Sequence, residues 1–107
     1  MPLPDPIQSF FDADTSTSRN ALAAAFAADA IVRDEGHTYH GLPQIEAWWH
    51  AAKRKYDHHA VPFEVRDVDG LVQVCAVVTG NFPGSPATLT YRFDLDGDRI
   101  ASLEITA

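Results

Sequence analysis

Two periodicities divide this chain near residue 57. Before it, apolar residues recur at three- and four-residue intervals, the spacing of a helix face; after it they alternate with polar ones, the spacing of a strand. Ile7, Phe10 and Phe11 share one helical face, which predicts a helix from about Pro6 to Asp14 with Asp5 as N-cap and Pro6 at its first position. Thr15 to Ser18 form a polar break. Ala21, Leu22, Ala25 and Phe26 then predict a short second helix whose alanines permit close approach to a sheet. After Gly41-Leu42-Pro43 a third helix begins, with Ile45, Trp48, Trp49, Ala52 and Tyr56 on its apolar stripe and Glu46, His50 and Lys53 opposite. Lys53, Arg54 and Lys55 occupy its last turns, where cations complement the helix dipole.

Between the second and third helices the alternation predicts a hairpin. Ala30, Val32 and Asp34 point to one side, and Ile31, Arg33 and Glu35 to the other. A carboxylate thus ends an apolar row. From Val61 onward the strands follow in series. Asp69-Gly70 and Asp96-Gly97 supply hairpin turns, and Pro83-Gly84 sits at type II turn positions. Residues 71–79, LVQVCAVVT, are apolar on both faces and predict a strand covered on each side, with Cys75 as inert core. The order of helix, helix, hairpin, helix and four antiparallel strands predicts an α+β fold with helices on one face of a strongly bent sheet.

Length and charge narrow the function classes. A chain of 107 residues supports a single domain, residues 1–107. Its formal net charge of −7 offers no footprint for nucleic acid or an anionic membrane and suits small neutral, cationic or apolar ligands. The one cysteine excludes an internal disulfide and a thiolate metal cluster. With no basic leader in MPLPDPIQSFF, the expected setting is the cytoplasm.

The segment Phe26-Ala27-Ala28-Asp29-Ala30, Gly41 before the third helix, the Ile45, Trp48 and Trp49 face, Gly80 to Pro86, and Tyr91-Arg92-Phe93 occur in an order that resembles the nuclear transport factor 2-like superfamily, and within it the SnoaL-like domains. The resemblance covers nearly the whole chain. It implies a cone in which a bent antiparallel sheet, cystatin-like, wraps three N-terminal helices, leaves an apolar pocket at its open end and pairs as a homodimer through its outer face. Ketosteroid isomerases of this superfamily use a base aspartate with a two-donor oxyanion hole. Aligning the lead-in places that base on Asp34. The donors do not carry over, because Phe10 and Leu89 stand at their positions. The resemblance therefore implies a pocket and a base without implying steroid isomerisation.

Asp34 is the candidate general base, with a pKa raised by apolar surroundings; the plainer alternative is a hairpin-end carboxylate paired with Arg33 or a backbone amide. Phe10, Phe26, Val32, Trp49, Tyr56 and Phe93 are the candidate pocket residues around a small apolar molecule. His37, His40, His58 and His59 invite a metal reading, but positions three apart on a strand face opposite ways and adjacent histidines diverge. No metal and no cofactor are expected. Asn81 offers an amide that its turn already explains. The expected function is small-molecule binding, with cofactor-independent acid–base chemistry of isomerase, cyclase or hydrolase type; the alternative is a non-catalytic binding or assembly module whose pocket is filled by side chains. Thr88, Thr90, Val77 and Arg92 are expected to meet a twofold mate.

Overall fold

The chain's structure is a computed structural model that describes residues 2–13 and 21–107. Helix α1 spans Asp5–Asp12, α2 Ala21–Ala25 and α3 Leu42–Tyr56; the strands are β1 Phe26–Asp34, β2 His37–His40, β3 His59–Val68, β4 Leu71–Thr79, β5 Ala87–Asp96 and β6 Arg99–Thr106. The fold is α+β, as the change of period predicts. The expected polar break at Thr15 to Ser18 lies outside the described residues.

The six strands form one curled sheet in the order β2-β1-β6-β5-β4-β3. Its junction corrects the all-antiparallel expectation. Strands β1 and β6 run parallel, with Val32 opposite Leu103 and Arg33 opposite Glu104. Successive hairpins account for every other pairing, so the chain's first strand closes on its last through a contact that local alternation does not encode. The register shifts between Phe26 and Ile31, and Phe26, expected on the second helix, is instead the first residue of β1. Helix α1 also starts one residue early. Pro4 is its N-cap, without a side-chain capping bond, and it ends at Asp12.

The core lies inside the curl. Val74, Ala76 and Val78 of β4 face Tyr91 and Phe93 of β5 and Leu103 of β6, and the apolar face of α1 closes over them with Ile7, Phe10 and Phe11. The ring of Phe10 meets those of Phe26 and Phe93 edge-on, with centroids 5.7 and 5.8 Å away. Such interlocked pairs add to the hydrophobic term that drives burial.

Strand β4 is not covered on both faces. It lies next to the sheet edge, and while its inner residues are buried, Cys75 on the outer face is half-buried and Val77 is 37% exposed. Cys75 is therefore no core residue. Val61 pairs with Val77 in register, and Phe63 sits in the bulge of β3, so this outer face carries apolar side chains that nothing else among the described residues covers.

Candidate functional site

The end of the curl toward α3 remains open. A cavity of about 480 Å³ lies between α3, the tip of the β1–β2 hairpin and the β4–β5 end of the sheet. Trp48, Trp49, Ala52 and Tyr56 come from α3; Asp34 and Glu35 from the hairpin; Phe82 and Pro83 from the turn after β4. Val78, Ala87, Leu89, Tyr91 and Ile105 supply the sheet wall, and Phe10 and Phe11 reach it from α1. The stripe of α3 explains the void. Ile45 is fully buried, whereas Trp48, Trp49 and Tyr56 are only half-buried because they face space rather than packed side chains.

Asp34 is the last residue of β1, and its inward direction follows from the alternation that buries Ala30 and Val32. Glu35 and Gly36 then turn the chain with φ of 54° and 78°, as a two-residue type I′ turn requires. The Trp48 indole N–H donates to Asp34 Oδ2 at 3.0 Å. Tyr39 of β2 packs against the same indole at 6.0 Å and holds the donor in place. Burial pushes the Asp34 carboxyl above its ordinary range; the Trp48 bond opposes the shift, the neighbouring Glu35 charge adds to it, and the Glu35 backbone bond and the His37 charge lower it. Asp34 thus takes its bonds from Trp48 and the Glu35 backbone rather than from Arg33.

The rim near α3's end depends on two backbone features. Asp57 ends the helix in the left-handed conformation, φ 46° and ψ 46°, and donates its N–H to Lys53 O. Gly80 then passes so close that a Cβ there would lie 2.7 Å from the Tyr56 carbonyl oxygen, and the Asn81 N–H donates to that same oxygen at 2.6 Å. The segment Phe82 to Ser85 turns with Gly84 at φ 85°, as expected for Pro83-Gly84. Tyr56 and Phe82 meet edge-on at 5.9 Å, and His58 lines the cavity beside them while its carbonyl accepts from Lys53 Nζ.

Of the residues named from sequence, Asp34, Phe10, Trp49 and Tyr56 come together at the cavity wall. Phe26, Val32 and Phe93 do not; they are 2%, 0% and 0% exposed in the packed core. The curl brings α1 down on Phe26 and Phe93, closing the space expected between them, and Val32 stops two residues short of the opening. Phe10 and Leu89, at the two donor positions, both line the cavity, so its wall is apolar there. The sequence reading missed the Trp48 bond to Asp34 and the contributions of Glu35, His58, Phe82 and Tyr91. Trp48 shared the apolar stripe, which was the available signal, but a partner 14 residues away is fixed only by the hairpin's placement on α3. Asn81 lies on the exposed side of its turn. His37 and His40 bracket β2, and His59 stands 4.0 Å from Asp57. Among the described residues, no three His, Cys, Asp or Glu side chains are grouped to hold a metal ion.

Comparison with solved structures gives this arrangement a family. A Sinorhizobium meliloti protein, provisionally named a polyketide cyclase, is 45% identical and superposes with a TM-score of 0.91 over 97% of this chain and 95% of its own. The chain belongs to the nuclear transport factor 2-like superfamily, as a SnoaL-like domain. A Catenulispora acidiphila protein with a ketosteroid isomerase-like fold, solved in complex with trimethylamine, is 25% identical, with a TM-score of 0.83 over 99% of this chain and 87% of its own. A protein from Agrobacterium tumefaciens provisionally named an isomerase of the SnoaL-like family, 17% identical with a TM-score of 0.76 over 94% and 92%, shares the fold. No family model matches the SnoaL-like chain, and no curated protein matches it. None of the described helices is long and apolar enough to cross a membrane.

Proposed function

We propose that this SnoaL-like domain, residues 1–107 acting as one unit, is a cofactor-independent acid–base enzyme in which Asp34 removes a proton from a carbon next to a carbonyl. The observation that carries the reading is the Trp48 indole bonded to a carboxyl at the wall of an aromatic cavity. Burial raises the proton affinity of Asp34 toward that of a carbon acid, and the indole fixes Oδ2 while leaving the group at the cavity surface. Tyr56, whose ring lines the cavity, is assigned to the developing oxyanion, since Phe10 and Leu89 are apolar where the isomerases place their donors. Those two residues also favour a second reading, ligand binding without turnover.

Solvent exchange separates the two. In D2O, NMR of a panel of flat aryl ketones should show deuterium entering the α-carbon faster with the protein than without, and Asp34→Asn should reduce the protein-dependent rate by about 100-fold. Binding without exchange, or exchange unaffected by Asp34→Asn, contradicts the catalytic reading.

The same proposal includes a homodimer through the outer sheet face. Its support is the uncovered pair Val61 and Val77 with Phe63 beside them, bordered by Thr88, Thr90 and the Arg92–Glu104 pair at 3.5 Å. Cys75, half-buried on this face, fits a reducing compartment such as the cytoplasm. Light scattering at micromolar concentration should give twice 11.7 kDa, and Val61→Lys with Phe63→Lys should return it to the monomer mass.

A further inference from the structure

The cavity combines aromatic walls with charge of one sign. Trp48, Trp49, Tyr56 and Phe82 present π-faces or edges to it, and among the described residues its only carboxylates are Asp34 and Glu35 and no lysine or arginine lines it. An electron-rich ring beside a carboxylate in a partly dry site is the arrangement that attracts an organic cation, because the ring quadrupole and the carboxylate act in the same direction and the cation loses little hydration. We propose that the occupant is an organic ammonium ion, its nitrogen held at the Asp34–Glu35 end against Trp48 and its apolar body among the inner rings. This deepens the assignment above and rests on the cavity being a small-molecule site.

Three observations fit the orientation. The Trp48 N–H lies 3.0 Å from Asp34 Oδ2, so the indole and the carboxylate form one continuous surface. Lys53 stands 5.6 Å from the centre of the Trp49 ring and Lys55 5.1 Å from that of Tyr56, so these rings already have cations beside them, whereas Trp48 has none among the described residues. Neither lysine lines the cavity. Glu35 is exposed at the hairpin tip while Asp34 is half-buried, which sets the two carboxylates at the mouth and leaves the deeper wall of Phe10, Leu89 and Ile105 without charge. A volume of about 480 Å³ accommodates a body much larger than the cationic head alone. The cation has a further effect on chemistry. Burial and, after it, the charge of Glu35 favour protonation of Asp34, and a positive nitrogen between the carboxylates opposes them, favouring the ionised form that proton abstraction needs.

The test compares two probes of one shape, a 3-phenylpropyl-trimethylammonium ion and its uncharged analogue with tert-butyl in place of trimethylammonium. Both are titrated calorimetrically or by tryptophan fluorescence at pH 7.5 and low salt. The ammonium ion should bind at least about tenfold more tightly. Glu35→Gln and Asp34→Asn should each shrink that preference, and the double variant should abolish it while still binding the neutral probe, which also reports an intact cavity. Equal binding of both probes by the unaltered protein overturns the ammonium assignment and leaves the small-molecule site standing. Binding of neither overturns both. A preference that persists in the double variant overturns the role given to these carboxylates.

Discussion

The two ends of the curled sheet are built from the same kinds of side chain and have opposite properties. At the α1 end, Phe10, Phe11, Phe26 and Phe93 interlock at centroid distances between 5.1 and 6.1 Å and are at most 7% exposed. At the α3 end, Trp48, Trp49 and Tyr56 stand half-buried around an open volume. The difference lies in what opposes each row. Rings of α1 pack on rings of the sheet, whereas the α3 stripe borders a cavity to which the sheet adds Val78, Ala87, Leu89 and Ile105 beside Tyr91, with the edges of Phe10 and Phe11 and a hairpin that ends in carboxylates. Aromatic residues fill space only when their partners reach them; where the partners are short, the same residues become the walls of a site.

The largest expected effect separates the ends by stability. Phe93→Ala removes a fully buried ring and should cost about 3–5 kcal/mol, whereas Trp49→Ala, which enlarges an existing cavity, should cost less than about 2 kcal/mol, both measured by urea unfolding. Equal losses would mean that the α3 end is packed core. For ligand binding the order reverses, and Trp49→Ala should abolish the fluorescence response that survives in a conservative core variant such as Phe93→Leu.

A second contrast concerns charge. The folded pKa of Asp34 is raised, so the folded state holds this proton more tightly than the unfolded chain. The stabilisation that this supplies is complete below the unfolded value of about 3.9 and is lost as pH rises through the folded value. Asp34→Asn should therefore be more stable than the unaltered protein at pH 7, with the advantage shrinking at pH 3; thermal melts at both pH values decide it. A third and smaller effect is local. Glu35 holds φ 54°, where asparagine is at less cost, so Glu35→Asn should stabilise the fold by about 0.5 kcal/mol while weakening ammonium binding.

Most of the architecture was legible because it is locally encoded. The stripe Ile45 to Tyr56, the alternation in β5 and the Asp-Gly turns each state their own conformation within a few residues. What escaped depends on pairs far apart in the chain. The parallel β1–β6 contact, which turns an antiparallel ribbon into a mixed sheet, joins residues about 70 positions apart. Nothing among the described residues covers β4 on its outer side, so LVQVCAVVT reads as doubly buried and stands half open. Within the site, alternation pointed Asp34 inward and helical spacing placed Trp49 and Tyr56 on one face. Whether Phe26 and Phe93 bordered space or filled it depended on how far the curl brings α1 down, and no sequence interval records that.

The central claim is that Asp34 is a carboxyl held at the cavity wall above its ordinary proton affinity and restrained by Trp48. A ¹³C NMR titration of the Asp34 carboxyl, in the unaltered protein and in Trp48→Phe, tests it directly. The account predicts an inflection above the ordinary aspartate value of 3.8, moving higher still when the indole donor is removed. An inflection at or below 3.8, or one that Trp48→Phe leaves in place, would contradict it.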